Sequence, residues 1–276
     1  MSIFFAIFLG IVQGIAEFIP VSSSGHLSVL QNFFHLSAAD DSHLLFDVML
    51  HMGTFVAICV SLRRELGRIF TDFFALARGE TSESPPSPNV RLGFLLIVAT
   101  VPLLIVIPFY NLIRTLFFHT GFIGFMLLTT GALLFVSVKY LKTGHKTEKT
   151  LTVGDAVMIG LAQLIAVIPG LSHAGATIAV GLSRGAERDF SIRFSLLLSL
   201  PAVLGATILT FVKAISSGID WSILPAAFIG FAVSAVVGIF AIAATRSLMK
   251  ENKWIYFSRY CFIAGVVVIL LSIILR

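Results

Sequence analysis

The apolar positions of this chain fall in long blocks. Six of them, roughly 44–62, 92–110, 121–139, 194–212, 223–245 and 259–275, reach the ~20 residues a helix needs to cross a bilayer. Two further regions, 3–34 and 153–183, are apolar but broken. Each holds an apolar stretch, then a break, then a second stretch too short to cross alone. The breaks read Pro20-Val-Ser-Ser-Ser-Gly25 and Pro169-Gly-Leu-Ser-His-Ala-Gly175.

The polar positions between the blocks orient them. Arg63, Arg64, Arg68, Arg78 and Arg91 flank one loop, and Lys139, Lys142, Lys146 and Lys149 crowd a second. Arg184, Arg188 and Arg193 mark a third, and Arg246, Lys250, Lys253 and Arg259 a fourth. Intervening segments are poor in basic residues: 35–47 carries Asp40, Asp41 and Asp47 and no Lys or Arg, 111–120 has only Arg114, and 213–222 only Lys213. Basic loops stay cytoplasmic. The loops at 139–152 and 184–193 are both basic, so 153–183 enters and leaves on one side, as a re-entrant helix hairpin. Region 3–34 is then expected to dip in from the outer face, opposite to it. The stretch 79–90 reads as a polar cytoplasmic loop.

The chain also repeats itself. Sliding it by 150 residues superposes Gly10 on Gly160, Gln13 on Gln163, Ile15 on Ile165, Ala16 on Ala166, Ser22 on Ser172 and Gly25 on Gly175. A shift of 148 superposes Phe46 on Phe194 and Leu50 on Leu198. An odd number of crossings separates the copies, which makes the repeat inverted. Such folds place a site near the midplane, where broken helices meet. The expected fold is an all-α polytopic membrane protein, one membrane domain over 1–276. Repeat 1 covers about 1–140 and repeat 2 about 150–276, with six full spans and two opposed re-entrant hairpins.

Composition agrees. Of 276 residues 57% are hydrophobic and 12% charged, far from the ~25% charge of soluble domains. The net charge of +5 comes from short loops, so it reads as a topology signal and not as a nucleic-acid footprint. Cys59 and Cys261 lie inside apolar runs without disulfide or metal-ligand spacing. The first apolar run lacks a basic leader and a small-residue cleavage site, so a cleaved signal peptide is not expected.

Within this apolar frame Glu17 stands out. A carboxylate inside a span costs at least ~2.5–3.5 kcal/mol on insertion scales. Gln13 and Glu17 are four residues apart and share a helix face. Glu17 is suited to hold a proton or a divalent cation. Ser22, Ser23, Ser24 and His26 offer hydroxyls, backbone N–H groups at a helix start and an imidazole, a set that suits phosphate. A lone serine there would be an N-cap. The second break supplies Ser172, His173 and Thr177, for which capping and backbone bonding are the alternatives. His51 reads as a satisfied core histidine, Asp47 and Asp155 as helix-start acids, and His35, His43, His119 and His145 as loop residues without a special role.

The run Gln13-Gly-Ile-Ala-Glu17-Phe-Ile-Pro-Val-Ser22-Ser23-Ser24-Gly25-His26 resembles the first signature of the undecaprenyl-pyrophosphate phosphatase (bacitracin-resistance) family. Phe46-Asp47 with His51-Met-Gly53-Thr54 looks like its next stretch. Pro169-Gly170-Leu-Ser172-His173-Ala174-Gly175-Ala-Thr177, followed by Arg193-Phe-Ser and Pro201, looks like its second signature. The resemblance runs the length of the chain. It implies interlocked inverted repeats in the bacterial plasma membrane, and a site on the external, periplasmic side. There one phosphate is removed from a polyprenyl pyrophosphate to recycle the lipid carrier for cell-wall synthesis. It implies Ser23 as nucleophile and His26 as acid/base. Gln13 and Glu17 are implied to bind the metal or position the pyrophosphate, with Glu17 as ligand to Mg²⁺ or Ca²⁺. Ser22, Ser24, Ser172 and Thr177 are implied to face phosphate. The family pattern carries Arg-Ser where this chain has His173-Ala174. Arg brings a permanent charge and a bidentate fork, whereas His is charged only below its ordinary pKa of ~6.5. Arg184, eleven residues on, is the candidate stand-in. The expected partners are the lipid pyrophosphate, membrane lipids and, as a homodimer, a second copy of the chain. A transporter or flippase that keeps the fold without the hydrolysis is the alternative reading, because inverted repeats with facing hairpins are common in transporters.

Overall fold

In a bilayer every backbone N–H and C=O must be satisfied within the chain, and a helix does so locally. The computed structural model describes residues 1–34, 44–80, 87–140, 144–217, 221–250 and 253–274. His35, Asp40, Asp41, His43, Lys142 and the centre of the 79–90 loop lie outside the described residues. Among these, twelve α-helices follow one another: α1 (Ile3–Ala16), α2 (Ser23–Phe33), α3 (Leu44–Ser61), α4 (Arg63–Ala77), α5 (Pro88–Thr100), α6 (Val106–Leu116), α7 (Thr120–Tyr140), α8 (Val153–Ile165), α9 (His173–Ser183), α10 (Arg188–Ser217), α11 (Leu224–Lys250) and α12 (Trp254–Ile274).

Among the described residues six stretches are long and apolar enough to cross a membrane: Leu44–Ser61, Pro88–Leu116, Thr120–Tyr140, Arg188–Ser216, Trp221–Met249 and Trp254–Ile274. They match the six expected spans within a few residues, and the chain is a multi-pass membrane protein. Two of them carry an internal proline near the middle. Pro102 sits in a 3₁₀ turn, Val101–Ile105, that joins α5 to α6, and Pro201 lies inside α10. The broken regions are the helix pairs α1–α2 and α8–α9. With 14 and 13 residues, α1 and α8 are about 20 Å long and stop short of crossing ~30 Å of hydrocarbon.

The packing interlocks the two ends of the sequence. α1 lies on α11 while α8 lies on α5, and α3 lies on α11 while α10 lies on α5. α7 pairs with α12 and α3 with α10. Lipid tails give apolar side chains no reason to associate, so close backbone approach carries these interfaces. A Cβ on Gly124 would lie 3.0 Å from the Gly265 carbonyl oxygen, and one on Gly265 would lie 2.8 Å from that of Gly124. Ser258 Oγ donates to the Gly131 carbonyl (2.7 Å) and Ser234 Oγ to that of Leu50 (3.0 Å), tying α12 to α7 and α11 to α3.

Most of the basic residues gather at one end. Asp155, fully buried, completes a capping box with Thr152 at the start of α8, the helix-start role expected of it. Its carboxylate also takes Lys146 Nζ at 2.7 Å and Arg184 Nε at 2.8 Å. Arg193 Nη2 lies 2.6 Å from Glu148. Residues 63–77, taken from the sequence only as a basic loop flank, form the amphipathic helix α4, with Phe70 and Phe74 exposed. The Asn89 amide and the Ser87 hydroxyl, both donating to Asp72, fasten α4 to the start of α5 and hold the Asp72 carboxyl below its usual range.

Candidate active site

α1 brings Gln13 and Glu17 onto one face and ends there. Glu17 Oε2 accepts from Gln13 Nε2 (3.1 Å) and from Ser23 Oγ (2.6 Å). The other Gln13 amide hydrogen goes to His51 Nδ1 on α3, 3.0 Å away. A continuous chain of hydrogen bonds, Ser23–Glu17–Gln13–His51, therefore links the first break to α3. The polarity is set from the carboxylate outward. Glu17 only accepts, Gln13 must donate to it, and His51 Nδ1 accepts in turn, so Nε2 carries the His51 proton.

The turn that presents Ser23 is strained. Ser22 has φ +72°, the one non-glycine residue in the left-handed half of the map among the described residues, a conformation that costs on the order of 1–3 kcal/mol. Three bonds hold it. Ser22 Oγ accepts from Gly25 N (3.3 Å) as N-cap of α2, and the Ser22 carbonyl accepts from His26 N (3.2 Å) and His26 Nδ1 (2.8 Å). Because Nδ1 donates, His26 Nε2 is the acceptor, and it takes the Tyr260 hydroxyl at 2.7 Å, with the two rings stacked.

The second break is built alike. Ser172 Oγ caps α9 by accepting from Gly175 N (3.1 Å), and Thr130 on α7 accepts from Ser172 N (3.0 Å) and donates to the Gly170 carbonyl (2.8 Å). Gly170 has φ +97°, and a Cβ there would lie 2.6 Å from the Ile123 carbonyl oxygen. The two breaks touch: a Cβ on Gly25 would come within 2.9 Å of the Gly170 Cα.

A cavity of about 550 Å³ lies where they meet. Glu17, Ser22, Ser23 and Ser24 form one side, Ser172, His173 and Gln163 another, and His51, Asp47, Gln31, Asn32 and Arg114 also line it. An apolar side comes from the segments that carry the two prolines: Leu103, Leu104, Val106 and Ile107 before and within α6, and Ala202, Ile208 and Leu209 beyond Pro201.

Glu17 Oε2 takes both of its bonds, so the second carboxylate oxygen is left for a ligand. Among the described residues no cluster of three acidic, His or Cys side chains would hold a metal ion alone. The donor set, one carboxylate with serine hydroxyls beside it, fits a hard divalent cation shared with phosphate oxygens, the usual arrangement for Mg²⁺.

The family model for the bacitracin resistance protein BacA matches residues 6–267. The chain belongs to the BacA family. An undecaprenyl-diphosphatase of Alkaliphilus metalliredigens is 37% identical over 278 residues, covering 99% of this chain and all of its own. One of Carboxydothermus hydrogenoformans is 36% identical, covering 99% and 98%. Undecaprenyl-diphosphatase 1 of Shouchella clausii is 34% identical, covering 97% and 96%.

The structure of this BacA-family chain sorts the residues singled out from sequence. Glu17, Ser22, Ser23, Ser24, Ser172 and His173 share the cavity wall. Gln13 lies behind it, fully buried, and acts on it through Glu17 and His51. Thr177 is buried off the wall, its hydroxyl bonded to the His173 carbonyl (2.9 Å) and Ser195 (2.6 Å). His26 is also off the wall, turned toward Tyr260. Arg184, the proposed stand-in cation, is held by Asp155 and does not line the cavity. Asp47 lies in the first turn of α3, as expected, but sequence reasoning missed that it and His51 line the cavity. His51 lines the cavity, and Asp47 Oδ1 accepts from Gln31 Nε2 at 2.6 Å beside it. A polar residue four places along from another in an otherwise apolar span, as His51 is from Asp47, was the available signal.

Proposed function

We propose that this chain is an integral membrane undecaprenyl-diphosphatase, releasing inorganic phosphate from the lipid diphosphate and leaving the monophosphate. The observation that carries the reading is the 2.6 Å bond from Ser23 Oγ to Glu17 Oε2 on the wall of the cavity. A serine hydroxyl becomes a nucleophile when a base stands ready for its proton, and Glu17 is in reach as that base.

In the proposed reaction Ser23 Oγ attacks the terminal phosphorus and its proton passes to Glu17. A Ser–O–P bond forms, and the bond from that phosphorus to the bridging oxygen breaks. The lipid monophosphate leaves. Water then attacks the phosphoserine and restores Ser23, with Glu17 relaying the proton. The His51 Nε2–H and the N–H groups at the capped start of α9 are donors suited to the developing charge. His26 serves the reaction from behind the wall, by holding the strained Ser22 turn. A divalent cation on Glu17, Mg²⁺ or Ca²⁺, would offset phosphate charge. The apolar wall from α6 and α10 suits the isoprenoid chain.

The same reading makes the broken pairs re-entrant hairpins of an inverted repeat, which their length and their tip-to-tip contact support. It places the cavity on the external face of the bacterial plasma membrane, because Asn32, Arg114 and Phe117 beside it belong to the base-poor end. Phosphate release from a prenyl diphosphate by the purified protein with Mg²⁺ tests the proposal. Release that Ser23→Ala abolishes is expected. No release from the wild type, while an active family member works in parallel, would overturn it, and transport without hydrolysis would then be the reading to test.

A further inference from the structure

Gln163 takes no part in the reaction so far described, yet its surroundings are unusual. It lies on α8 with 1% of its surface exposed, it lines the cavity, and neither its Nε2 nor its Oε1 has a hydrogen-bond partner. Buried side-chain amides are rarely left so, since each unmet polar atom loses its hydration without replacement. α8 cannot drift to relieve it. Gly160, one turn earlier, packs so tightly on Ala99 of α5 that a Cβ has no room.

The internal repeat explains why the partners are missing. Gln163 superposes on Gln13 at the offset of 150, and the Gln13 Nε2 donors are both taken, by Glu17 and by His51, although its Oε1 is left without a partner. At the same offset Glu17 becomes Val167, which has nothing to accept with. At the offset of 148 His51 becomes Ser199, whose hydroxyl already donates to the Leu196 carbonyl at 2.7 Å. Val167 and Ser199 both line the cavity. The two protein groups that occupy the Gln13 amide are thus absent around Gln163, and its two N–H donors remain on the wall. Nearby on the wall His173 Nε2 is a second buried nitrogen without a partner, at the start of the α9 helix.

We infer that the Gln163 carboxamide is a substrate-binding group, donating to non-bridging oxygens of the diphosphate. Repeat 1 then contributes the nucleophile and the carboxylate, and repeat 2 receives the anion. The identity of the anion rests on the phosphatase reading; the existence of an anion site on this wall does not.

Gln163→Met, unbranched and of similar length, removes the donors and keeps the volume. Hydrolysis of a short-chain prenyl diphosphate should lose about tenfold to a hundredfold in kcat/KM, the usual effect of one lost hydrogen bond to a charged group. The melting temperature in detergent should stay level or rise, because two unpaired polar atoms are gone. Binding is read separately in a Ser23→Ala background. Inorganic pyrophosphate with Mg²⁺ should raise the melting temperature there, and should do so far less once Gln163→Met is added. Gln163→Glu, of the same shape but repelling an anion, should show the same losses and serves if the Met variant fails to fold. A Met variant within threefold of wild type in kcat/KM would overturn the inference, as would undiminished protection by pyrophosphate. If the wild type releases no phosphate but pyrophosphate protection still depends on Gln163, the anion site stands and the phosphatase reading falls. If the wild type shows neither, both fall.

Discussion

Glu17→Gln separates charge from shape at the centre of the site. The substituted amide can place its oxygen where Oε2 now sits, 3.1 Å from Gln13 Nε2 and 2.6 Å from Ser23 Oγ, so both bonds survive as neutral ones. What disappears is the negative charge and the ability to take the Ser23 proton. General-base assistance of this kind contributes about 10²–10⁴ in rate, or about 3–5 kcal/mol of barrier at 1.36 kcal/mol per decade. Stability should move the other way, because an intramembrane carboxylate that costs at least ~2.5–3.5 kcal/mol becomes neutral. The expected signature is a kcat lowered at least a hundredfold with a melting temperature in detergent equal to or above that of wild type. In a Ser23→Ala background the Glu17 change should cost nothing further, since a base has no role once its nucleophile is gone. Phosphate release in single-turnover conditions and a thermal-shift scan on the same preparations read both quantities. A kcat within threefold of wild type would refute the base role. A lost activity accompanied by a melting temperature several degrees lower would refute the argument that Glu17 serves function at the expense of stability.

Three further outcomes follow from particular contacts. His51→Leu removes the cavity-facing Nε2–H and the acceptor for Gln13, and should lower kcat/KM by about tenfold to a hundredfold; with Gln13→Leu as partner, the double variant should lose less than the product of the singles. Arg184→Ala should leave kcat within about threefold, because Arg184 is held by Asp155 away from the cavity, but should lower the melting temperature by exposing half of a buried ion-pair network. Gly170→Ala should destabilise by about 1–3 kcal/mol or more from overpacking. The new Cβ would meet the Ile123 carbonyl oxygen and Met126 Cβ, each at 2.6 Å, on a residue whose φ is +97°; its thermal shift in detergent should fall well below that of Gly205→Ala, where nothing lies within 4 Å.

The spans were legible because lipid imposes one rule, twenty or so apolar residues, that composition alone satisfies. Glu17 and Ser23 were legible because a polar residue in such a run needs a reason. What was not legible depended on direction. His26 sits one helical turn after Ser22, and spacing cannot tell that its ring turns back to the Ser22 carbonyl and out to Tyr260, 234 residues away in sequence. His51 looked like one satisfied core histidine because its partner, Gln13, is 38 residues distant. The 3₁₀ turn at Pro102 was hidden inside a span whose hydropathy it does not interrupt, yet residues from it line the apolar side of the cavity.

The interlocking of the helices carries a consequence for how the protein is made. α1 leaves the ribosome long before the helix it packs on most extensively, α11, which begins at Leu224. At ~5–20 residues per second, the roughly 200 residues between them take about 10–40 s to synthesise. Throughout that time α1, too short to cross alone, has only α2 and α3 to pack on, and the bonds of Gln13 and Glu17 to His51 and Ser23 must hold the polar break together until α11 arrives.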